Sequence, residues 1–438
     1  MTTWHEHAIF WHVYPLGFVG AEPVLDPSAE PVHRLGHLTG WLDHAVGLGA
    51  SAVLLGPVFT SHSHGYDTLD HFTIDPRLGD RADFDALVAA AHERGLKVVL
   101  DGVFNHVGSR HPAFLRALDG GPATPEAEMF RLTWKEGAPP GTPPERETFE
   151  GHAGLVALNH DAPAVVELVR DVMRHWLRAG ADGWRLDAAY AVPPSFWAKV
   201  LPAVRAEFPD AYVVGEVIHG DYAGVVAESG MDAVTQYELW KAIWSSIEDV
   251  NFYELDHALG RHNTFLETFA PMTFVGNHDV TRIATRLSDR RHLAHAHVVL
   301  MTVGGTPSVY AGDELALEGV KEERLGGDDA IRPVFPDRPD DLVGADTGML
   351  ALHRELIGLR RRHPWLHRAR TTTLELRNEL LAYEVAAAGE RLVVVLNLAD
   401  GDAQAPAQGA TAVLAGTART DGGRAVVPGH GWAVLGER

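Results

Sequence analysis

Short apolar runs rich in valine and leucine alternate along most of the chain with longer segments whose apolar residues recur at i, i+3 and i+4. The runs at 51–58, 96–103, 211–217 and 271–275 read as strands, and a first strand opens at Ala8. The clearest helical segment is 81–95, where Phe84, Leu87, Val88 and Ala91 share one face and Gly95 stops the helix. Residues 164–179 repeat the pattern. Near-continuous apolar strands alternating with helices predict a parallel sheet covered by helices. The roughly 360 residues in this regime suit an α/β fold of the (β/α)₈ TIM-barrel type.

The pattern breaks twice. Residues 107–159 are loop-rich around the proline-rich stretch 137–144, which predicts a short insertion after strand 3. From 366 the helical period gives way to strand-like runs at 371–376, 380–385, 391–398, 411–415 and 432–435, separated by turn residues. The expected organisation is therefore a barrel over 1–106 and 160–365, an inserted domain over 107–159, and a C-terminal antiparallel β-sandwich domain over 366–438.

Composition narrows the chemistry. The 438 residues include no cysteine, which removes disulfides, thiolate metal sites and cysteine nucleophiles together. A formal net charge of −22 repels phosphate backbones and anionic lipid, so nucleic acid and membranes are poor partners and a neutral small molecule suits better. The N-terminal sequence has no basic region followed by an apolar stretch, and no run of about 18 apolar residues occurs anywhere, so a cytoplasmic protein is expected. The 26 histidines invite a metal reading. His5-Glu6-His7, His62-Ser63-His64 and the 292, 295, 297 set have only loose ligand spacing, without a third partner in an apolar frame. They read as solvated surface histidines, and neither a metal nor a cofactor is expected. Nothing in the sequence sets the oligomeric state.

In a (β/α)₈ barrel the functional groups stand at the C-terminal ends of the strands. The apolar run at 96–100 closes on Asp101-Gly102-Val103-Phe104-Asn105-His106, and Gly183-Trp184 leads into Arg185-Leu186-Asp187. The run at 211–215 closes on Glu216, and that at 272–276 on Asn277-His278-Asp279. Four acids, two histidines and an arginine thus converge on one rim. Carboxylates gathered without a metal cluster point to glycoside chemistry, in which one acid protonates the leaving oxygen and a second meets the oxocarbenium-like carbon. Arg185 and Asp187 lie two residues apart on one strand and face the same way, so Arg185 is expected to hold Asp187 ionised, while Glu216 must start protonated.

These four strand ends resemble, in order and spacing, the four signature regions of the α-amylase family of glycoside hydrolases. Supporting stretches are Gly56-Pro57-Val58, His64-Gly65-Tyr66-Asp67 with the segment 74–79 behind it, and Leu158-Asn159-His160-Asp161, so the resemblance runs over about residues 8–335. It implies a retaining hydrolase of α-glucosides with Asp187 as nucleophile, Glu216 as acid/base and Asp279 as the third carboxylate. It further implies that Arg185, His106 and His278 contact the reacting ring, that Tyr66 stacks on it, that His64 and Asp67 belong to the same sugar-site motif, and that Asp101 is a structural partner of Arg185. Arg332, in Ile331-Arg332-Pro333-Val334, resembles a residue of a substrate-side loop in some relatives.

Endo-acting members of the family usually carry Lys-His three and four residues after the nucleophile, where this chain has Tyr190-Ala191. The structural calcium and the grip on glucan beyond the cleavage point, both tied to that pair, are therefore not expected, and Asn105 is left as a loop-fixing side chain. The motifs are most similar to the neopullulanase and cyclomaltodextrinase branch, without its N-terminal domain. The implied substrate is a short malto-oligosaccharide or related α-glucoside. Transglycosylation or sugar isomerisation on the same intermediate is the main alternative, and a non-catalytic carbohydrate-binding barrel is disfavoured by the intact acids.

Overall fold

Eight short strands carry almost unbroken burial, as expected where a sheet is covered on both faces. In the computed structural model, which describes residues 3–324, 326–407 and 409–437, they are β1 Phe10–Val13, β2 Ala52–Leu55, β3 Lys97–Gly102, β4 Gly183–Leu186, β5 Tyr212–Gly215, β6 Ala233–Val234, β7 Met272–Phe274 and β8 Thr306–Tyr310. All neighbours are parallel, and β1 lies between β2 and β8. The ring closes through a single parallel bridge, Thr235 to Met272, where Gln236 N donates to Met272 O at 2.9 Å. This is a (β/α)₈ barrel.

β2, β3, β5 and β7 are each shorter than the apolar run that announces them. The run at 51–58 leaves the ladder after Leu55, where Gly56-Pro57 turns away and proline has no N–H to donate. Val217, beyond β5, is held by Thr235 Oγ1 at 3.0 Å instead of a strand neighbour. The helix Arg81–Glu93 buries Phe84, Leu87, Val88 and Ala91. It starts at a capping box between Asp80 and Asp83 and ends before Gly95, whose φ of 75° favours glycine. No helix among the described residues is long and apolar enough to cross a membrane.

The insertion leaves the barrel through His106–Gly108, which pairs antiparallel with Leu155–Ala157 on the way back. Between them lies the helix Pro112–Gly120, opened by its N-terminal proline and seated by Phe114 and Ala117. Beyond the barrel, a five-stranded antiparallel sheet has the order 370–376, 380–387, 390–397, 432–436, 412–416. Its alternation divides two cores: Leu381, Tyr383 and Val394 face the barrel, while Leu380, Ala382, Val393 and Val395 face a second, three-stranded sheet. That second sheet, built from Ala403–Pro406, Arg419–Asp421 and Arg424–Val427, contributes mostly alanine and valine to the shared core.

The histidines at 292, 295 and 297 are not solvated. All three are buried on or beside the helix Leu293–Thr302, which packs under the C-terminal sheet. His295 Nε2 donates to Asn397 O and Gly431 O at 3.2 and 3.0 Å, so polar side chains tie this apolar helix to the neighbouring sheet.

Candidate active site

Parallel register puts the two candidate acids level with each other. Leu186 of β4 pairs with Gly215 of β5, and Glu216 N donates to Leu186 O at 2.9 Å. Asp187 and Glu216 therefore stand side by side one step past two strands whose backbones lie about 4.8 Å apart. Both are buried at the rim, 7% exposed each. Arg185 lies beneath them, in register with Asp101 of β3. Its Nη1 donates to Asp101 Oδ2 at 2.5 Å, its Nη2 lies 2.6 Å from Glu216 Oε1, and Asp187 Oδ1 is more distant at 3.4 Å. The guanidinium thus bridges three strands. Its charge pulls Asp187 toward the ionised form, as expected, and Asp101 is its partner, while the fork also reaches Glu216 on the other flanking strand.

Glu216 is held further by two donors. Tyr237 Oη donates to Oε1 at 3.1 Å, and the Ala188 amide donates to Oε2 at 3.0 Å. Ala188 has a left-handed φ of 46°, a strained setting for alanine immediately after Asp187, and this conformation is what aims its N–H across to the next strand. Asn277 Nδ2 donates to Tyr237 Oη at 3.0 Å, linking β7 to the same network.

Across the rim, Asp279 faces two cations or donors. His278 Nε2 lies 2.9 Å from Oδ2, and Arg332 Nη2 donates to Oδ1 at 2.8 Å. Arg332 also donates from Nε to the His278 carbonyl at 2.9 Å and pairs with Asp328 at 3.0 Å. Its guanidinium lies 4.5 Å from the centre of the Tyr14 ring. Tyr14 runs parallel to His278 at 5.9 Å, and His278 to Tyr66 at 5.4 Å. The Tyr66 hydroxyl donates to Asp101 Oδ2 at 3.1 Å and makes a short contact with His278 Nε2. His64 is exposed, parallel to Tyr66 at 6.1 Å.

Two of the predicted sugar-site residues also bond to protein. His106 donates from Nε2 to Tyr66 O at 3.1 Å, takes a hydrogen bond on Nδ1 from Asn105 Nδ2 at 3.1 Å, and stacks on Phe149 of the insertion at 4.7 Å. Asp67 takes hydrogen bonds from Ser63 N at 3.0 Å and Ser63 Oγ at 2.6 Å, so its carboxylate shapes the loop under Tyr66. The insertion adds Glu150, which accepts from Tyr190 Oη at 2.6 Å.

Electrostatics separate the carboxylates. Burial, then the charge of Glu216, push the Asp187 carboxyl well above the ordinary range against the pull of Arg185. Burial also raises Asp101, opposed by Arg185. For Asp279, burial opposes the charge, but His278 and then Arg332 outweigh it and hold the carboxyl well below the ordinary range. Burial first, and then Asp101 for Tyr66 and Glu216 for Tyr237, keep both phenols protonated as donors. Burial lowers His106 to about 3, so it is neutral. Tyr237, Phe149 and Glu150 are not marked by the sequence, and Asn277 is named there only within its motif, without a role. Tyr237 follows a strand of only two residues, too short to show as an apolar run.

A (β/α)₈ barrel whose C-terminal rim juxtaposes two buried carboxylates over a shared arginine, with a third acid across the opening, defines a carboxylate-based glycoside hydrolase. The alpha-amylase catalytic-domain model matches residues 32–371. A cyclomaltodextrinase from a Bacillus species is 30% identical over 419 residues, covering 90% of this chain and 73% of that protein. Neopullulanase 2 from Thermoactinomyces vulgaris is 30% identical over 421 residues, covering 90% and 70%. The ligand-free cyclic alpha-maltosyl-(1→6)-maltose hydrolase from Arthrobacter globiformis superposes with a TM-score of 0.83 at 26% identity, over 100% of both chains. The chain belongs to the α-amylase family and is a glycoside hydrolase.

Proposed function

We propose that this protein hydrolyses α-glucosidic bonds of short malto-oligosaccharides or related α-glucosides by a retaining, two-step path. The observation that carries the reading is the level pairing of Asp187 and Glu216 at the ends of adjacent strands. Neighbouring strand ends suit the separation of about 5–5.5 Å that a nucleophile and an acid/base need. In the first step Glu216 gives its proton to the leaving oxygen, the C1–O bond breaks, and an Asp187 oxygen bonds to C1. In the second, Glu216 takes a proton from water, the water oxygen bonds to C1, and Asp187 leaves.

In the free site burial and the Glu216 charge hold the Asp187 carboxyl above its ordinary range, opposed by Arg185. Positive charge building at the anomeric carbon favours ionised Asp187 during the reaction. Asp279, kept charged by His278 and Arg332, is assigned to sugar hydroxyls of the reacting ring, with Arg185, His278, Tyr66 and His64 around it. His106 and Asp67 are assigned to holding the walls of that ring's site, and Arg332 to fixing Asp279.

The names of the similar proteins support an oligosaccharide substrate, since they act on cyclomaltodextrin and on a cyclic maltosyl-maltose. An open groove of about 590 Å³ is lined by Ile218, Tyr237, Trp240 and Val280 together with Lys241 and Arg261. The test compares kcat/KM on maltotriose, cyclodextrin, pullulan and soluble starch, expressed per cleavable bond, with product analysis. Preference for the short substrates supports the reading, and a preference for starch that grows with chain length refutes it.

A further inference from the structure

One cluster of ligand-type side chains lies away from the rim, where the C-terminal domain meets the barrel. His292 Nε2 and His430 Nδ1 face each other at 2.9 Å although 138 residues separate them in sequence. Asp289 Oδ2 is 4.0 Å from His292 Nε2, and ligand atoms of all three residues lie within 4.8 Å of one another. We propose that Asp289, His292 and His430 bind a divalent transition-metal cation of the zinc class, which staples the C-terminal sheet to the barrel.

Three features support a site beyond mere proximity. The first is spacing. Zinc–nitrogen bonds of about 2.0–2.1 Å put tetrahedral ligand atoms roughly 3.3 Å apart. The observed separations of 2.9 and 4.0 Å lie on either side of that edge, and the third edge is within 4.8 Å, so side-chain shifts on the order of 1 Å complete the geometry.

The second is the outer partner. His430 Nε2 donates to Asp400 Oδ1 at 2.9 Å, which leaves Nδ1 as the lone-pair nitrogen pointing at His292. A carboxylate on the far nitrogen of an imidazole is the usual arrangement behind a metal-bound histidine, fixing its tautomer and strengthening it as a ligand.

The third is backbone. His430 sits in Pro428-Gly429-His430-Gly431 with a left-handed φ of 55°, pinned by its N–H to Ala399 O at 2.9 Å. A position where glycine would rest without strain carries the side chain that completes the cluster. Arg291 donates to Asp289 from its backbone N–H, Nε and Nη2 at 2.6–3.0 Å, so a cation at Oδ2 takes the place of a guanidinium contact there. With neutral imidazoles, Asp289, Asp400 and Arg291 sum to one negative charge, which a cation improves. The histidine spacing at 292–297 lacks a third partner in sequence because that partner arrives from the other domain.

The test uses the full chain, stripped with chelator and dialysed, titrated with Zn²⁺ by calorimetry and with Co²⁺ by visible absorption. The expected result is one tight equivalent, a tetrahedral Co²⁺ spectrum and a rise in Tm with added Zn²⁺. His292→Gln and His430→Asn each abolish these signals, and Asp400→Asn weakens affinity about 10-fold or more. Asp289→Asn alters a half-exposed side chain and keeps both rings, and it is expected to weaken binding even if a histidine variant misfolds. Absence of binding by the wild type, or equal binding by wild type and the Asp289 and Asp400 variants, overturns the proposal.

Discussion

Arg185 sits closer to Glu216, at 2.6 Å, than to Asp187, at 3.4 Å, although Asp187 shares its strand. A guanidinium at the level of three strand ends answers to its lateral neighbours as much as to its own chain. With Asp101 on its other side at 2.5 Å, it fixes the spacing of β3, β4 and β5 at the rim. The first prediction concerns that row. Glu216→Gln and Asp187→Asn each lower turnover by roughly 10²–10⁴-fold or more while circular dichroism and Tm stay near wild type. Near-normal activity in purified Asp187→Asn, with contamination excluded, would show that another group meets the anomeric carbon.

Stereochemistry is the second prediction. A covalent intermediate on Asp187 requires two inversions, so the freed sugar first appears as the α-anomer. Proton NMR taken before mutarotation decides it, and an initial β-anomer is incompatible with the assigned nucleophile.

Arg332 is the third. Its Nη2 is bonded to Asp279 and its Nε to the His278 carbonyl, a planar fit that a lysine ammonium does not reproduce. Hydrogen bonds to a charged group are worth about 1.5–3 kcal/mol, so Arg332→Lys loses about 10–100-fold in kcat/KM. If kcat/KM for Arg332→Lys equals wild type, the arginine does not position Asp279.

Acid should weaken the fold. Burial lowers His262 and His295 to about 4 and His367 to about 3, so the native state favours neutral imidazole. A folded pKa below the unfolded value of about 6.5 gives stability that is complete above pH 6.5 and is lost as pH falls toward 4. For His262 the swing is on the order of 3 kcal/mol. Urea midpoints measured from pH 7 to pH 4 are expected to fall steadily, and a flat profile contradicts these burial effects.

Calcium is the fifth. Tyr190-Ala191 stand where endo-acting relatives carry the calcium-linked Lys-His pair. Turnover is expected to survive chelator, and loss restored by calcium alone would refute this.

The barrel and its rim were legible because each long apolar run ends on its functional group, so Asp101, Asp187, Glu216 and Asp279 announce both strand and chemistry. What stayed hidden depends on register or on distant chain. Tyr237 reaches Glu216 only through a strand of two residues, and His430 meets His292 only after the second domain docks. The three-stranded C-terminal sheet hides for another reason. Its core residues are largely alanine, as at 405 and 425, and alanine-rich strands lack the β-branched signature. Buried His295 looks polar in sequence, yet its partners are carbonyls of another layer.

The column formed by Arg332, Tyr14, His278 and Tyr66 draws its members from the ends or loops of β8, β1, β7 and β2. Each member is wedged by the next, so enlarging or tilting one displaces all four. The wall around the reacting ring is therefore a poor place to begin diversification by directed evolution. Libraries built on Ile218, Tyr190, Glu150 and Trp240, which stand outside that column, are the ones in which new acceptors can be gained one substitution at a time.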